Sequence, residues 1–118
     1  MHVCLLTDIP VWVRPLEAAL RTLGAKVTVA RSVEEVPGDG VIVNRLSTLL
    51  MRKSPERAPA FEEALGRWEA SGRRVVNGAR CLRLGYDKLA QAELFRRCGA
   101  RTPATAPAVP GGRALPGR

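Results

Sequence analysis

Residues 75–105 read VVNGARCLRLGYDKLAQAELFRRCGARTPAT, and this stretch decides the fold. Val75 and Val76 are β-branched and end a strand, and Asn77-Gly78 is a turn signal. A short apolar segment follows and stops at Gly85. From Tyr86-Asp87-Lys88 the pattern predicts a helix to Cys98, with Gly99 placed where a left-handed residue closes helices. Leu89, Ala92, Phe95 and Cys98 recur at helical spacing and give that helix one apolar face. Beyond Gly99, Pro103 holds Thr102 in extended backbone.

The first turn of this helix carries a charge conflict. Asp87 suits it, because a carboxylate offsets the positive end of the dipole and accepts a free N–H. Lys88 opposes the same dipole by about 0.3–1 kcal/mol. An anion at that point would remove the conflict, since a helix N-terminus and an ammonium both attract phosphate. A solvated surface lysine fits the same spacing.

Upstream, strands and helices alternate. Met1 to Thr7 is an apolar run ending at Thr7-Asp8, read as a buried strand. Val13, Leu16, Ala19, Leu20 and Leu23 mark a helix over 13–23, with Pro15 in its first turn and Gly24 ending it. Residues 26–30 form a second strand, 32–37 a connector with at most one helical turn, and Val41-Ile42-Val43 a third strand. A helix over 58–70 presents Phe61, Leu65 and Trp68 on one face, and Ser71-Gly72 closes it before a strand over 73–76. The fold class is therefore α/β: a three-layer, Rossmann-like domain on a short parallel sheet of about four strands.

Sheets of this kind bind ligands at the carboxyl ends of their strands. Thr7-Asp8, Asn44-Arg45 and Asn77 fall there. Asp8, Asn44 and Asn77 are also ordinary turn and cap residues. Arg45 differs, because a guanidinium suits a carboxylate or phosphate, although a surface ion pair would use it equally. No strand is followed by GxGxxG, and the chain contains no P-loop, no GxSxG and no Cys–His pair for nucleophilic catalysis. Glu62-Glu63 lies opposite an apolar helix face and reads as solvated surface.

Val75-Val76-Asn77, the Asp87-Lys88 pair, Gly99 and Thr102-Pro103-Ala104-Thr105 together resemble the start of the ATP-grasp domain in RimK-type α-L-glutamate ligases. The related amino-group-carrier ligases of lysine and arginine biosynthesis share the pattern. Gly40 to Arg45 resembles the strand-plus-Asn-Arg that precedes it, so the resemblance spans about residues 1 to 105. It implies a pre-ATP-grasp domain over 1–85, the first helix of an ATP-grasp domain over 86–105, and a tail over 106–118. It also implies that Lys88 contacts nucleotide, and that Arg45, with Asn44 and Asn77, faces the substrate side. In that family ATP and magnesium convert a carboxylate to an acyl phosphate, which an amine attacks to give an amide. The glycine-rich loop, second lysine and magnesium ligands of the family cannot be placed after Thr105. The chain is thus expected to lack the catalytic half, to hold no catalytic or metal-ligating residue, and to need an ATP-grasp domain in cis or in trans. The alternative is a non-enzymatic α/β binding or regulatory module, and a homo-oligomer fits either.

Composition limits the partners. The 118 residues are 46% hydrophobic, enough for one real core, and no apolar run approaches the ~20 residues of a membrane span. The net charge of +8 divides unevenly: residues 1–95 hold 14 basic against 11 acidic residues, whereas 96–118 hold five arginines and no acid. A Pro/Gly/Arg tail over 106–118 has little to bury and is expected to be disordered. It could touch phosphate, but it has no aromatic on which a base could stack, which argues against nucleic-acid recognition. Cys4, Cys81 and Cys98 lack ligand spacing and read as buried small hydrophobes in a reducing cytoplasm. His2 alone gives a zinc site nothing to build on.

Overall fold

Strand β1 (His2–Leu6) is the centre of the first unit, with Val3, Cys4, Leu5 and Leu6 all buried, so both of its faces are covered. The computed structural model describes residues 1–108, which divide into two units, Met1–Arg83 and a second that begins at Leu84. β1 pairs in parallel with β2 (Lys26–Ala30) on one side and with β3 (Val41–Asn44) on the other. A short β4 (Val75–Val76) adds beyond β3. The order β2-β1-β3-β4 is a four-stranded, all-parallel sheet, and the fold is α/β as expected.

The chain leaves β1 for β2 through helix α1 (Pro10–Thr22) and leaves β3 for β4 through α2 (Leu49–Lys53) and α3 (Ala58–Ala70). These two routes run in opposite directions along the sheet, so right-handed crossovers set α1 and α3 on opposite faces. Under α1, Val3, Leu5, Val13 and Val27 form a buried cluster, with Leu20, Val29 and Val43 packed against it. The alternate residues Cys4, Leu6 and Ile42 are fully buried on the other face, and α3 buries Ala58, Phe61, Ala64 and Leu65. A single 3₁₀ turn, Val33–Glu35, fills the connector before β3.

Several local expectations are corrected. α1 starts at Pro10, three residues early, because a proline at the first helical position is preorganised and has no N–H to leave unpaired. Pro15 therefore lies inside the helix, on its exposed side, where water can take the Val11 carbonyl that loses its helical partner. Of the apolar positions on α1 only Val13 is buried and Leu20 partly so; Leu16, Ala19 and Leu23 are exposed. Trp68 is half-buried in the last turn of α3, with the Arg73 guanidinium 5.9 Å from its ring. Cys4 is buried, but Cys81 and Cys98 are exposed.

The segment after Asn77 is a helix, α4 (Ala79–Tyr86), rather than a loose apolar link, and the Glu69 carboxylate accepts the Ala79 N–H at its start (3.0 Å). Glu62 pairs with Arg83 and Glu63 with Arg67 at 3.3 Å, both on the surface. In the second unit, α5 (Lys88–Arg97) begins where expected: Asp87 is its N-cap and accepts the Ala90 N–H at 2.9 Å. At its other end Gly99 has φ +76°, and Gly99 and Ala100 donate to the Arg96 and Phe95 carbonyls. This left-handed closure repeats at Gly24 and Gly72. The apolar face of α5 is not buried, since Leu89, Phe95 and Cys98 are exposed. The tail expected to be disordered over 106–118 lies, from Val109 on, outside the described residues.

Candidate functional site

The strand order reverses between β1 and β3, and in open parallel sheets the crevice beyond these two carboxyl ends is the place for a ligand. Here the chain closes part of it. Asp8, just after β1, accepts the Ser47 N–H (2.7 Å) and the Ser47 hydroxyl (2.5 Å), tying the β1 loop to the β3 loop. The buried Thr7 hydroxyl accepts the Ile9 N–H at 3.0 Å. Beside this clamp a cavity of about 180 Å³ remains, lined by Asp8, Ile9, Leu49, Leu50, Lys53 and Arg57. Arg57 donates to the Arg31 carbonyl at 3.1 Å and lies 5.5 Å from the Phe61 ring. Lys53 makes no hydrogen bond or ion pair among the described residues. The cavity therefore offers one carboxylate already engaged and a cation free to meet an anion.

Asn44 and Asn77 hold each other. The Asn44 amide donates to the Asn77 carbonyl (2.8 Å), and the Asn77 amide points back at the Asn44 carbonyl at 3.4 Å. The Asn44 side-chain oxygen also accepts the Leu46 N–H at 3.0 Å. Asn77 has φ +58°, a left-handed conformation that asparagine tolerates better than most residues. The pair fastens the carboxyl ends of β3 and β4. Arg45 is fixed only through its backbone, whose N–H donates to the Leu6 carbonyl at 2.8 Å. Its side chain is exposed and, among the described residues, its guanidinium has no acceptor.

In the second unit the segment 102–105 crosses α5 near Ala92 and leaves a hollow on each flank. The first, of about 530 Å³, is lined by Lys88, Gln91, Phe95, Arg101, Thr102 and Pro103 among others. It has two cations, an apolar floor and no carboxylate. Lys88 is exposed, and its ammonium donates to the Gln91 side-chain oxygen at 3.3 Å. The other end of the Gln91 amide donates to the Leu84 carbonyl, so Gln91 is anchored and steers the lysine. Asp87 occupies the helix N-terminus itself, so an arriving phosphate would meet the ammonium rather than the backbone amides.

One cluster escaped the sequence. His2 Nδ1 lies 3.0 Å from Asp39 and Nε2 lies 2.8 Å from the Thr28 hydroxyl, joining β1, β2 and the turn before β3. The hydrogen bond from His2 holds the Asp39 carboxyl below its usual range, with the charges of His2 and Lys26 adding to it. Arg73 donates to the carbonyls of Asp39 (2.5 Å) and Gly40 (3.2 Å) and pins the same turn. No local pattern announces contacts between residues 37 positions apart.

Among the described residues no group of three or more His, Cys, Asp or Glu side chains could hold a metal ion, and no helix is long and apolar enough to cross a membrane. Comparison with family models, with curated proteins and with solved structures found no match.

Proposed function

We propose that the chain is the N-terminal part of an ATP-dependent carboxylate–amine ligase, with Lys88 contacting the nucleotide. The observation that carries this is the acid-free hollow beside α5, where Lys88 and Arg101 flank a floor of Ala92, Phe95 and Pro103. Two cations suit a polyphosphate, and an exposed aromatic suits the face of a base. The volume is within the range that takes a small-molecule ligand. Magnesium, when bound with ATP, would neutralise phosphate charge alongside these two cations. In phosphoryl transfer, positioning and neutralisation supply most of the catalysis. In the first unit Arg45 stands at the end of β3, beside Asn44 and Asn77, as the group to receive a carboxylate. In a complete ligase of this type ATP would convert a carboxylate to an acyl phosphate with release of ADP, and an amine would displace the phosphate to give an amide.

The test is a titration of the isotopically labelled chain with ATP, followed by amide chemical shifts. The expected result is weak binding, with Kd on the order of millimolar for so incomplete a site, and shifts confined to residues 88–105. Lys88→Ala should weaken it about tenfold or more, the loss of one charged hydrogen bond. Shifts elsewhere, or equal affinity in Lys88→Ala, would overturn the proposal. Binding in the micromolar range would overturn the view that the site is only partly built here.

A further inference from the structure

The strongest feature outside these sites is the outer surface of α1. Val11, Trp12 and Leu16 on α1 and Leu23 at its C-cap are 53, 59, 38 and 84% exposed, the largest such concentration at any one helix among the described residues. At 100° per residue, Trp12, Leu16, Ala19 and Leu23 form a single stripe about 60° wide, bordered by Val11, Pro15 and Ala18. The one hydroxyl on this border, Thr22, is satisfied within the helix by the Ala18 carbonyl at 3.0 Å. The charged residues Arg14, Glu17 and Arg21 lie roughly 130° or more around the helix from the centre of the stripe, and Arg21 is engaged with Glu17 and the Val27 carbonyl. An exposed, charge-free apolar face of this extent is the kind of surface that marks association.

We infer that this face pairs with α1 of a second copy, antiparallel and about a two-fold axis. The stripe is self-complementary in that arrangement: positions whose numbers sum to 35 oppose one another, which sets Trp12 against Leu23 of the other copy and Leu16 against Ala19. The large side chains then meet at the ends, and a large one meets a small one at the middle, which lets the helices approach. Charge does not oppose this, because none of the stripe residues Trp12, Leu16, Ala19 and Leu23 is charged although each chain carries +8. The area fits a weak dimer. The four large side chains expose on the order of 500 Å², below the ~800 Å² per partner of a standard interface and in the range of weak, concentration-dependent association.

Sedimentation equilibrium on the 118-residue chain tests this. A dimer mass should be reached at tens of micromolar or above, the range of a modest interface. Trp12→Glu and Leu23→Lys should each weaken association at least about tenfold, as loss of an interface anchor does. Both side chains are more than half exposed, so circular dichroism of either variant should match the parent. Mixing the two variants should restore a dimer, since the introduced charges then face one another. A monomer at all concentrations overturns the inference, as does a dimer indifferent to both substitutions. Failure of the mixture to recover overturns the antiparallel register.

Discussion

Phe61 and Trp68 are seven residues apart on α3, two helical turns, and periodicity alone gives them the same face. The fold separates them. Phe61 is 3% exposed, midway along a face it shares with Ala58, Ala64 and Leu65. Truncating it to alanine removes the ring's transfer energy and leaves a cavity in a packed layer, at a cost of about 3–5 kcal/mol. Trp68 is half-buried and shares its cover with the Arg73 guanidinium at 5.9 Å. Its truncation forfeits a fraction of an aromatic's burial and a cation–π contact of about 0.5–1 kcal/mol, together roughly 2 kcal/mol. With a urea slope of about 1 kcal/mol per molar, the midpoint should fall by roughly 3–5 M in Phe61→Ala and roughly 2 M in Trp68→Ala. A domain with a total stability of about 5–15 kcal/mol tolerates the second change far better than the first. Far-UV circular dichroism is the suitable probe, because it does not depend on the tryptophan that one variant lacks. Equal costs, or a larger cost for Trp68→Ala, would refute the placement of α3.

The cysteines should separate by burial, since loss of solvation pushes the Cys4 thiol up to about 11 despite the nearby Arg73, whereas Cys81 and Cys98 are exposed. A disulfide reagent should titrate two thiols in the folded chain and the third only after denaturation; three fast thiols contradict this. Asp39, whose pKa is lowered chiefly by the His2 hydrogen bond, contributes stability above the ordinary carboxylate pKa that is lost as pH falls through its own lower value. The gap in urea midpoint between the parent and Asp39→Asn should therefore be full near neutral pH and close below about pH 4; a gap that widens in acid counts against it. Gly40→Ala should cost about 2–3 kcal/mol, because φ is +84° and a Cβ would stand 2.2 Å from the His2 carbonyl oxygen. Asn44→Ala should cost about 1–3 kcal/mol and Arg45→Ala less than about 0.5 kcal/mol in the same denaturation assay; the reverse order would show that Arg45 is a structural residue.

The sheet was legible because β1 is covered on both faces and β1 and β3 appear as short apolar runs, and because Gly24, Gly72 and Gly99 end their helices in a conformation other residues avoid. What the runs do not disclose is whether a layer exists to meet each helix face. The apolar pattern of α1 is as regular as that of α3, yet α3 buries four residues and α1 one. Periodicity reports a preference for burial, and topology decides whether it is met within one chain.

The strand-end residues were equally ambiguous for a chemical reason. An asparagine presents the same donors and acceptor to a neighbouring backbone as to a substrate, and only the partner's position separates the two uses. Asn44 commits its amide to Asn77 and its oxygen to Leu46, and these bonds fasten β3 to β4. A ligand calling on the same atoms would have to replace bonds that hold the sheet edge. Arg45 and Lys88 carry no such obligation, since neither side chain fastens one strand or helix to another and each keeps donors directed outward. A ligand can reach them without unfastening the fold, which is why the proposed chemistry draws on exposed cations and gives the asparagines the work of holding the strand ends in place.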